Sequence, residues 1–212
     1  MGSDNPAGAD NQQERPSHND WLNQIPADLG NWVVGFVEGE GSFNVPIRRE
    51  HDRGTPWRVS LSFNVSQVGP ELPELLRSTY GVGTVRGRGD GVFYFVFYFE
   101  VTRPTELSER VFPFFDRFPL RGPKGHDLAV FRQVAQLVQS GRHRTPAGIR
   151  EALVLRGPMN RGGKRRRTDE QIIEALLDWE SSEAIRRAPV LKQPDEDMVQ
   201  SLWRHKVNPF EL

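Results

Sequence analysis

Glu38 and Glu40 stand among three glycines in the run Gly35-Phe36-Val37-Glu38-Gly39-Glu40-Gly41-Ser42-Phe43. Carboxylates are hard oxygen ligands, and Mg²⁺ needs few of them because it keeps several of its waters. Glycines let two helices approach backbone to backbone. An acid at the end of a helix carrying such glycines is delivered to the point where two helices converge. A short motif is informative only in context. Here the apolar segment Trp32-Val33-Val34 precedes the run and an alternating β pattern follows it. Softer metal chemistry is excluded: the chain has no cysteine, hence no disulfide, thiolate site or cysteine nucleophile. The histidines (His18, His51, His126, His143, His205) show no metal-ligand spacing.

The charge pattern adds a second clue. The formal net charge is zero over 212 residues, yet residues 142–167 hold Arg142, Arg144, Arg150, Arg156, Arg161, Lys164, Arg165, Arg166 and Arg167 against one acid, Glu151. Acids concentrate in 169–183 and 195–197. A neutral sum therefore conceals a basic face. No apolar run approaches the ~20 residues of a membrane span, so no membrane partner is expected. The N-terminus lacks a charged-then-apolar leader, and Pro6 breaks the myristoylation pattern after Met1-Gly2. The expectation is a soluble intracellular protein.

The elements that must position these groups follow from periodicity. Residues 1–28 are largely polar and predict a disordered extension, although Trp21, Leu22 and Ile25 are able to cap the domain. Asn31 is the expected N-cap of a helix over 32–39. Phe43, Val45 and Ile47 alternate with Asn44, Pro46 and Arg48, with Pro46 marking an irregular or edge strand. Trp57, Val59, Leu61, Phe63 and Val65 alternate with polar residues and predict one strand over 57–67. A helix over 70–79, a strand over about 84–88, a hairpin at Asp90-Gly91 and an aromatic strand over 92–101 come next. Helices are expected at 104–115, at 127–139, from the Thr145-Pro146 cap to Leu155, and after the capping box Thr168-Asp169-Glu170-Gln171. Residues 29–187 would form the domain and 188–212 a tail.

The glycine-acid run resembles the LAGLIDADG motif of homing endonucleases. Glu38 and Glu40 stand at the two Asp positions of its commoner form, and Val33-Val34 at its Leu-Ala pair. The element order over roughly 29–140 matches that family's αββαββα core, and Met159 to Arg165 resembles a C-terminal segment of several members. The resemblance implies an α+β fold, with a four-stranded antiparallel sheet as a DNA-binding saddle and added C-terminal helices. Only one motif occurs, so it also implies a homodimer, with one acid from each subunit. The implied activity is Mg²⁺- or Mn²⁺-dependent, site-specific cleavage of a long pseudo-palindromic double-stranded DNA target by an intron-encoded enzyme. A maturase acting on its host intron RNA, and a non-catalytic DNA-binding regulator, are the alternatives on this fold.

Residue by residue, the resemblance places the catalytic groups at Glu40, Gln67 and Lys124, with Arg121 as the alternative to Lys124. Metal ligands would be Glu40 and the Gly39 carbonyl. The dimer interface would use Val34, Gly35, Val37, Glu38 and Gly39, with Glu38 in a structural role. DNA contacts would come from Asn44, Arg48, Arg58, Ser60, Ser62, Asn64, Arg86 and Arg88. Lys164, Arg165 and Arg166 would hold phosphates, which gives affinity without sequence information.

Overall fold

The computed structural model describes residues 20–50, 55–89, 95–162 and 167–187. The chain divides into two units, Met1–Leu176 and Leu177–Leu212, and the site lies wholly in the first. Two helices open it, α1 (Asp20–Asn23) and α2 (Ala27–Glu40). Helical structure thus begins ahead of the expected boundary at 29. Leu22 and Ile25 are buried, and the Arg117 guanidinium donates to the Leu22 carbonyl. Pro26, not Asn31, stands at the N-cap of α2. Its fixed φ suits a helix entry, and its missing N–H is lost where none is needed.

The two alternating segments are each broken once. They form β1 (Gly41–Asn44), β2 (Ile47–Arg49), β3 (Trp57–Val59) and β4 (Ser62–Val68). The single strand expected over 57–67 is therefore corrected to two. The cause is Pro46, which has no N–H to continue the β1–β4 ladder beyond the Asn44–Ser62 pair. The ribbon stays joined because the Ser60 N–H donates to the Pro46 carbonyl at 3.0 Å. Each break spans two residues, so side-chain parity is kept: Val45, Ile47, Val59 and Leu61 remain buried beside Phe43 and Phe63.

Helix α3 (Glu71–Tyr80) ends at Gly81, whose φ of +67° ends the helix in the left-handed region. Strands β5 (Thr84–Gly89) and β6 (Phe95–Val101) pair antiparallel; the Asp90-Gly91 turn lies outside the described residues. The main sheet has the order β1-β4-β6-β5, and β2–β3 forms a separate two-stranded sheet.

The expected helix over 104–115 is α4 (Pro104–Glu106), a π segment (Leu107–Val111) and α5 (Phe112–Arg117). Pro113 has no N–H to give the preceding turn, and the wider turn is marked by the Phe112 N–H bonding the Leu107 carbonyl. Helix α6 (Pro123–Gln139) starts one turn earlier than its apolar spacing predicts. A 3₁₀ turn (Arg142–Arg144), α7 (Pro146–Arg156), a second 3₁₀ turn (Met159–Gly162) and α8 (Asp169–Arg187) follow. Both expected caps form. Thr145 Oγ1 accepts from the Gly148 N–H at 3.1 Å, and Thr168 and Gln171 bond reciprocally at 3.1 and 3.3 Å.

One face of the main sheet is covered by helices. Phe43, Phe63 and Phe99 pack with Tyr80, Phe115 and Phe131, at ring-centroid separations from 5.0 to 6.0 Å for the pairs that include Phe43 or Phe63. Each such buried ring contributes about 1.5–3 kcal/mol relative to exposure. The rigid layer fixes the register of β1 and β4, and so the direction in which the outer face points.

Candidate functional site

The C-terminal end of α2 gathers the groups with chemical potential. Glu40 ends the helix, is exposed, and makes no hydrogen bond or ion pair among the described residues. Lys124 lies in the first turn of α6, not in a loop. Its ammonium donates to the Glu38 carbonyl at 2.7 Å and the Gly39 carbonyl at 3.3 Å. These are carbonyls left over at a helix terminus, where the dipole also favours a cation. The contact thus caps α2 and holds a positive charge at the helix end that carries Glu40. Arg121 is exposed in the preceding loop and has no such contact.

Glu38 faces inward along the chain's own surface. Its Oε1 accepts from the Gly122 N–H at 2.7 Å. A Cβ at position 122 would lie 2.7 Å from Glu38 Oε2, so a larger residue there would push the carboxylate aside. Glu38 therefore ties down the loop that leads into α6 and its Lys124. Gln67 lies near the end of β4. The register pairing Gly41 with Val65 brings that end back toward the α2 terminus. Alternation places Gln67 with Phe63 and Val65 on the helix-covered side; its Oε1 accepts from the Val68 N–H at 2.9 Å. The Gly39 carbonyl, expected as a metal ligand, accepts from Lys124 at 3.3 Å, and Glu40 is an oxygen donor at this end with no bond among the described residues.

The exposed stripe of α2 consists of Asp28, Asn31, Trp32, Gly35 and Gly39. Cβ atoms built on Gly35 or Gly39 would meet nothing within 4 Å. Trp32 is 43% exposed and stacks on Phe36 at 5.2 Å. Of the residues expected at an interface, Gly35 and Gly39 lie on this stripe. Val34 packs partly against the core, and Glu38 is bonded within the chain. Val37 is a correction: it is fully buried in the chain's own core. Trp32, at helical spacing to Gly35 and Gly39, shares the stripe with them.

The uncovered side of the sheets forms a groove of about 1890 Å³, larger than the ~300–1,000 Å³ of a small-molecule pocket. Of the residues expected to contact DNA, Asn44, Arg48, Arg58, Ser60, Ser62, Asn64 and Arg86 line it, and Arg88 is exposed on β5 outside it. Lys164, Arg165 and Arg166 lie outside the described residues. Arg49, Arg103, Arg144, Arg156 and Arg167 also line the groove, against only Glu50 and Glu100 among the described residues. Arg48 and Arg58 stand directly opposite each other in the β2–β3 register. Like charges so placed oppose pairing, and an anion would relieve them; Arg58 has partial relief from Glu50 at 3.4 Å.

His143, in the groove wall, is held below the ordinary histidine range, first by burial and then by the Arg144 and Arg58 charges. Asn160 bonds the Phe43 carbonyl at 3.0 Å and its N–H bonds Asp127 at 3.1 Å, which docks the second 3₁₀ turn on β1. Arg167 lies over the Trp57 ring at 5.6 Å. Arg103, Arg144, Asn160 and Arg167 carried no strand-pattern signal, because helices and turns bring them in from distant sequence.

A family model described as "LAGLIDADG endonuclease" matches residues 33–135. "Probable intron-encoded endonuclease 3" of Neurospora crassa is 31% identical over 138 residues, which is 62% of this chain and 25% of that protein. "Homing endonuclease I-ApeII" of Aeropyrum pernix is 25% identical over 153 residues, covering 70% of this chain and 90% of its own. The chain spans about a quarter of the length of the first two curated relatives it matches. Among solved structures, meganuclease I-SmaMI bound to uncleaveable DNA aligns with a TM-score of 0.60 and 27% identity, over 69% of this chain and 48% of that one. The homing endonuclease I-TnaI aligns with a TM-score of 0.59 and 28% identity, over 70% and 96%.

Proposed function

The chain belongs to the LAGLIDADG endonuclease family, and on that premise we propose that it is a site-specific double-strand DNA endonuclease. It acts as an intron-encoded homing enzyme, a homodimer that cuts a long pseudo-palindromic target with Mg²⁺. The observation that carries this reading is Glu40, which has no partner among the described residues. It terminates a helix whose open stripe holds Gly35 and Gly39, beside the fixed ammonium of Lys124.

No group of three or more metal-ligating side chains occurs among the described residues. At the α2 terminus one chain contributes the Glu40 carboxylate, and a twofold pair joined along α2 contributes two. That donor set fits Mg²⁺, a hard cation that keeps most of its waters. When bound, the cation supplies charge neutralisation at the phosphate and an activated water. Glu40 holds it. Lys124 sets a positive charge beside the phosphate whose leaving oxygen gains negative charge. Gln67 keeps its amide nitrogen free to orient a water, because its oxygen is tied to Val68. Arg48 and Arg58 hold the DNA backbone, and the strand residues Asn44, Asn64 and Arg86 face base edges. A C₂ dimer reads a target of matching symmetry.

The test is cleavage of a randomised duplex library with Mg²⁺, wild type beside Glu40→Gln, with the cut ends sequenced. The expected result is one long near-palindromic site, cut by wild type alone and bound by both. Binding by wild type without cutting would overturn the nuclease reading and favour a maturase or a regulator.

A further inference from the structure

The exposed arginines lining the groove, Arg48, Arg49, Arg58 and Arg86 among them, suit a polyanion, and Glu100 does not. It sits on β6, one of the two central strands, directly between Asn64 on β4 and Thr84 on β5. It lines the groove and is partly buried. The other groove acid, Glu50, has Arg58 as a counterion. Among the described residues no cation pairs with Glu100, although Arg86 and Arg103 line the same groove. A carboxylate left without a counterion in the middle of a surface that meets phosphates weakens binding, unless the nucleic acid presents it with a donor.

The local hydrogen bonds are directional. Ser62 Oγ donates to Glu100 Oε1 at 2.7 Å, since the carboxylate only accepts. The same Ser62 oxygen accepts from Asn64 Nδ2 at 3.1 Å. Ser62 is 7% exposed, so this link is shielded from water. Glu100 is thereby held in one orientation, and it in turn sets the Asn64 amide with its oxygen away from Ser62. One carboxylate oxygen is engaged, and the other is left to accept from a base.

The major groove offers few partners to an acceptor. Guanine shows two acceptors, thymine an acceptor and a methyl group, and adenine a donor beside an acceptor. Cytosine alone shows a donor without an adjacent acceptor. We propose that Glu100 is a specificity-determining residue that accepts from the N4 amino group of a cytosine in each half-site. Ser62 is its positioning residue. This rests on the DNA-endonuclease reading above.

The full chain, its Glu100→Gln variant and its Ser62→Ala variant are each used to select bound duplexes from a randomised library without divalent metal, and the preference at every position is read. Glutamine keeps an oxygen for Ser62, so that variant retains the local fold. Wild type is expected to prefer cytosine at one position per half-site by about 5- to 150-fold. Glu100→Gln should move that preference toward adenine and leave the other positions unchanged. Ser62→Ala should weaken it at the same position. A uniform gain in affinity with an unchanged profile would make Glu100 an ordinary solvated acid and overturn the proposal, as would no cytosine preference in wild type. If wild type enriches no sequence, the DNA reading fails with it, and that failure is visible before any variant is compared.

Discussion

Gly35 gives the dimer its sharpest test, because two readings of the same residue predict opposite signs. It lies in the interior of the 14-residue α2, where glycine costs about 0.8–1.0 kcal/mol relative to alanine. A Cβ there meets nothing within 4 Å in the chain's own structure. Gly35→Ala and Gly35→Leu should therefore both stabilise the isolated subunit by about 0.5–1 kcal/mol. If α2 packs on α2 across a twofold axis, the added atoms sit in the contact twice. Overpacking at about 1–3 kcal/mol per site then weakens association by about 2–6 kcal/mol, or roughly 30-fold to 10⁴-fold, with leucine the worse. Sedimentation across a concentration series reads the association. Urea unfolding at concentrations where the wild type is monomeric reads the subunit, since dimerisation otherwise adds apparent stability. A Gly35→Leu chain that is more stable, equally dimeric and fully active would refute the helix-to-helix interface.

Other perturbations separate binding from architecture. Arg48→Ala should lower DNA affinity for all sequences and reduce the slope of log affinity against log salt by about one; an unchanged slope would remove Arg48 from the phosphate contacts. Lys124→Met should lose cleavage far more than urea stability, whereas equal losses would make it a helix cap only. Buried Arg156 bonds the Val45 carbonyl at 3.0 Å and Asp169 at 2.6 Å, so Arg156→Met should cost about 3–5 kcal/mol by chemical denaturation, and adding Asp169→Leu should recover much of it. His143 is neutral-favoured in the fold, so its contribution is full above about pH 6.5 and falls as pH drops toward its lowered folded value. The loss of stability between pH 7 and pH 5 should therefore be smaller in His143→Gln, and an equal loss would exclude this residue as the cause.

What the chain discloses in advance depends on how far apart its interacting groups lie in sequence. The α2 run was legible because its logic is local: glycines and acids share one helix, and alternation in 43–48 and 57–67 assigns one face without knowledge of any partner. Alternation survived even where the strands broke, since the breaks at Pro46 and Ser60 preserve parity. The breaks themselves were not legible from either strand alone. They arise because a proline in one strand withholds a donor from the other, and neither strand read alone gives the register that makes them neighbours. The same limit explains the groove. Its strand residues were found by period two, while Arg103, Arg144, Asn160 and Arg167 arrive from helix ends and turns that only packing brings together. Val37 erred the opposite way: motif membership suggested a partner, but helical phase turns it toward the chain's own core. Glu100 shows why an acid there resists sequence reading. Its neighbours along the chain, Phe99 and Val101, are both core residues, and nothing in that run announces Ser62, 38 positions away. Its meaning comes from the cross-strand pairs with Asn64 and Thr84, which convert an isolated acid in an apolar strand into an oriented acceptor at the centre of a basic surface.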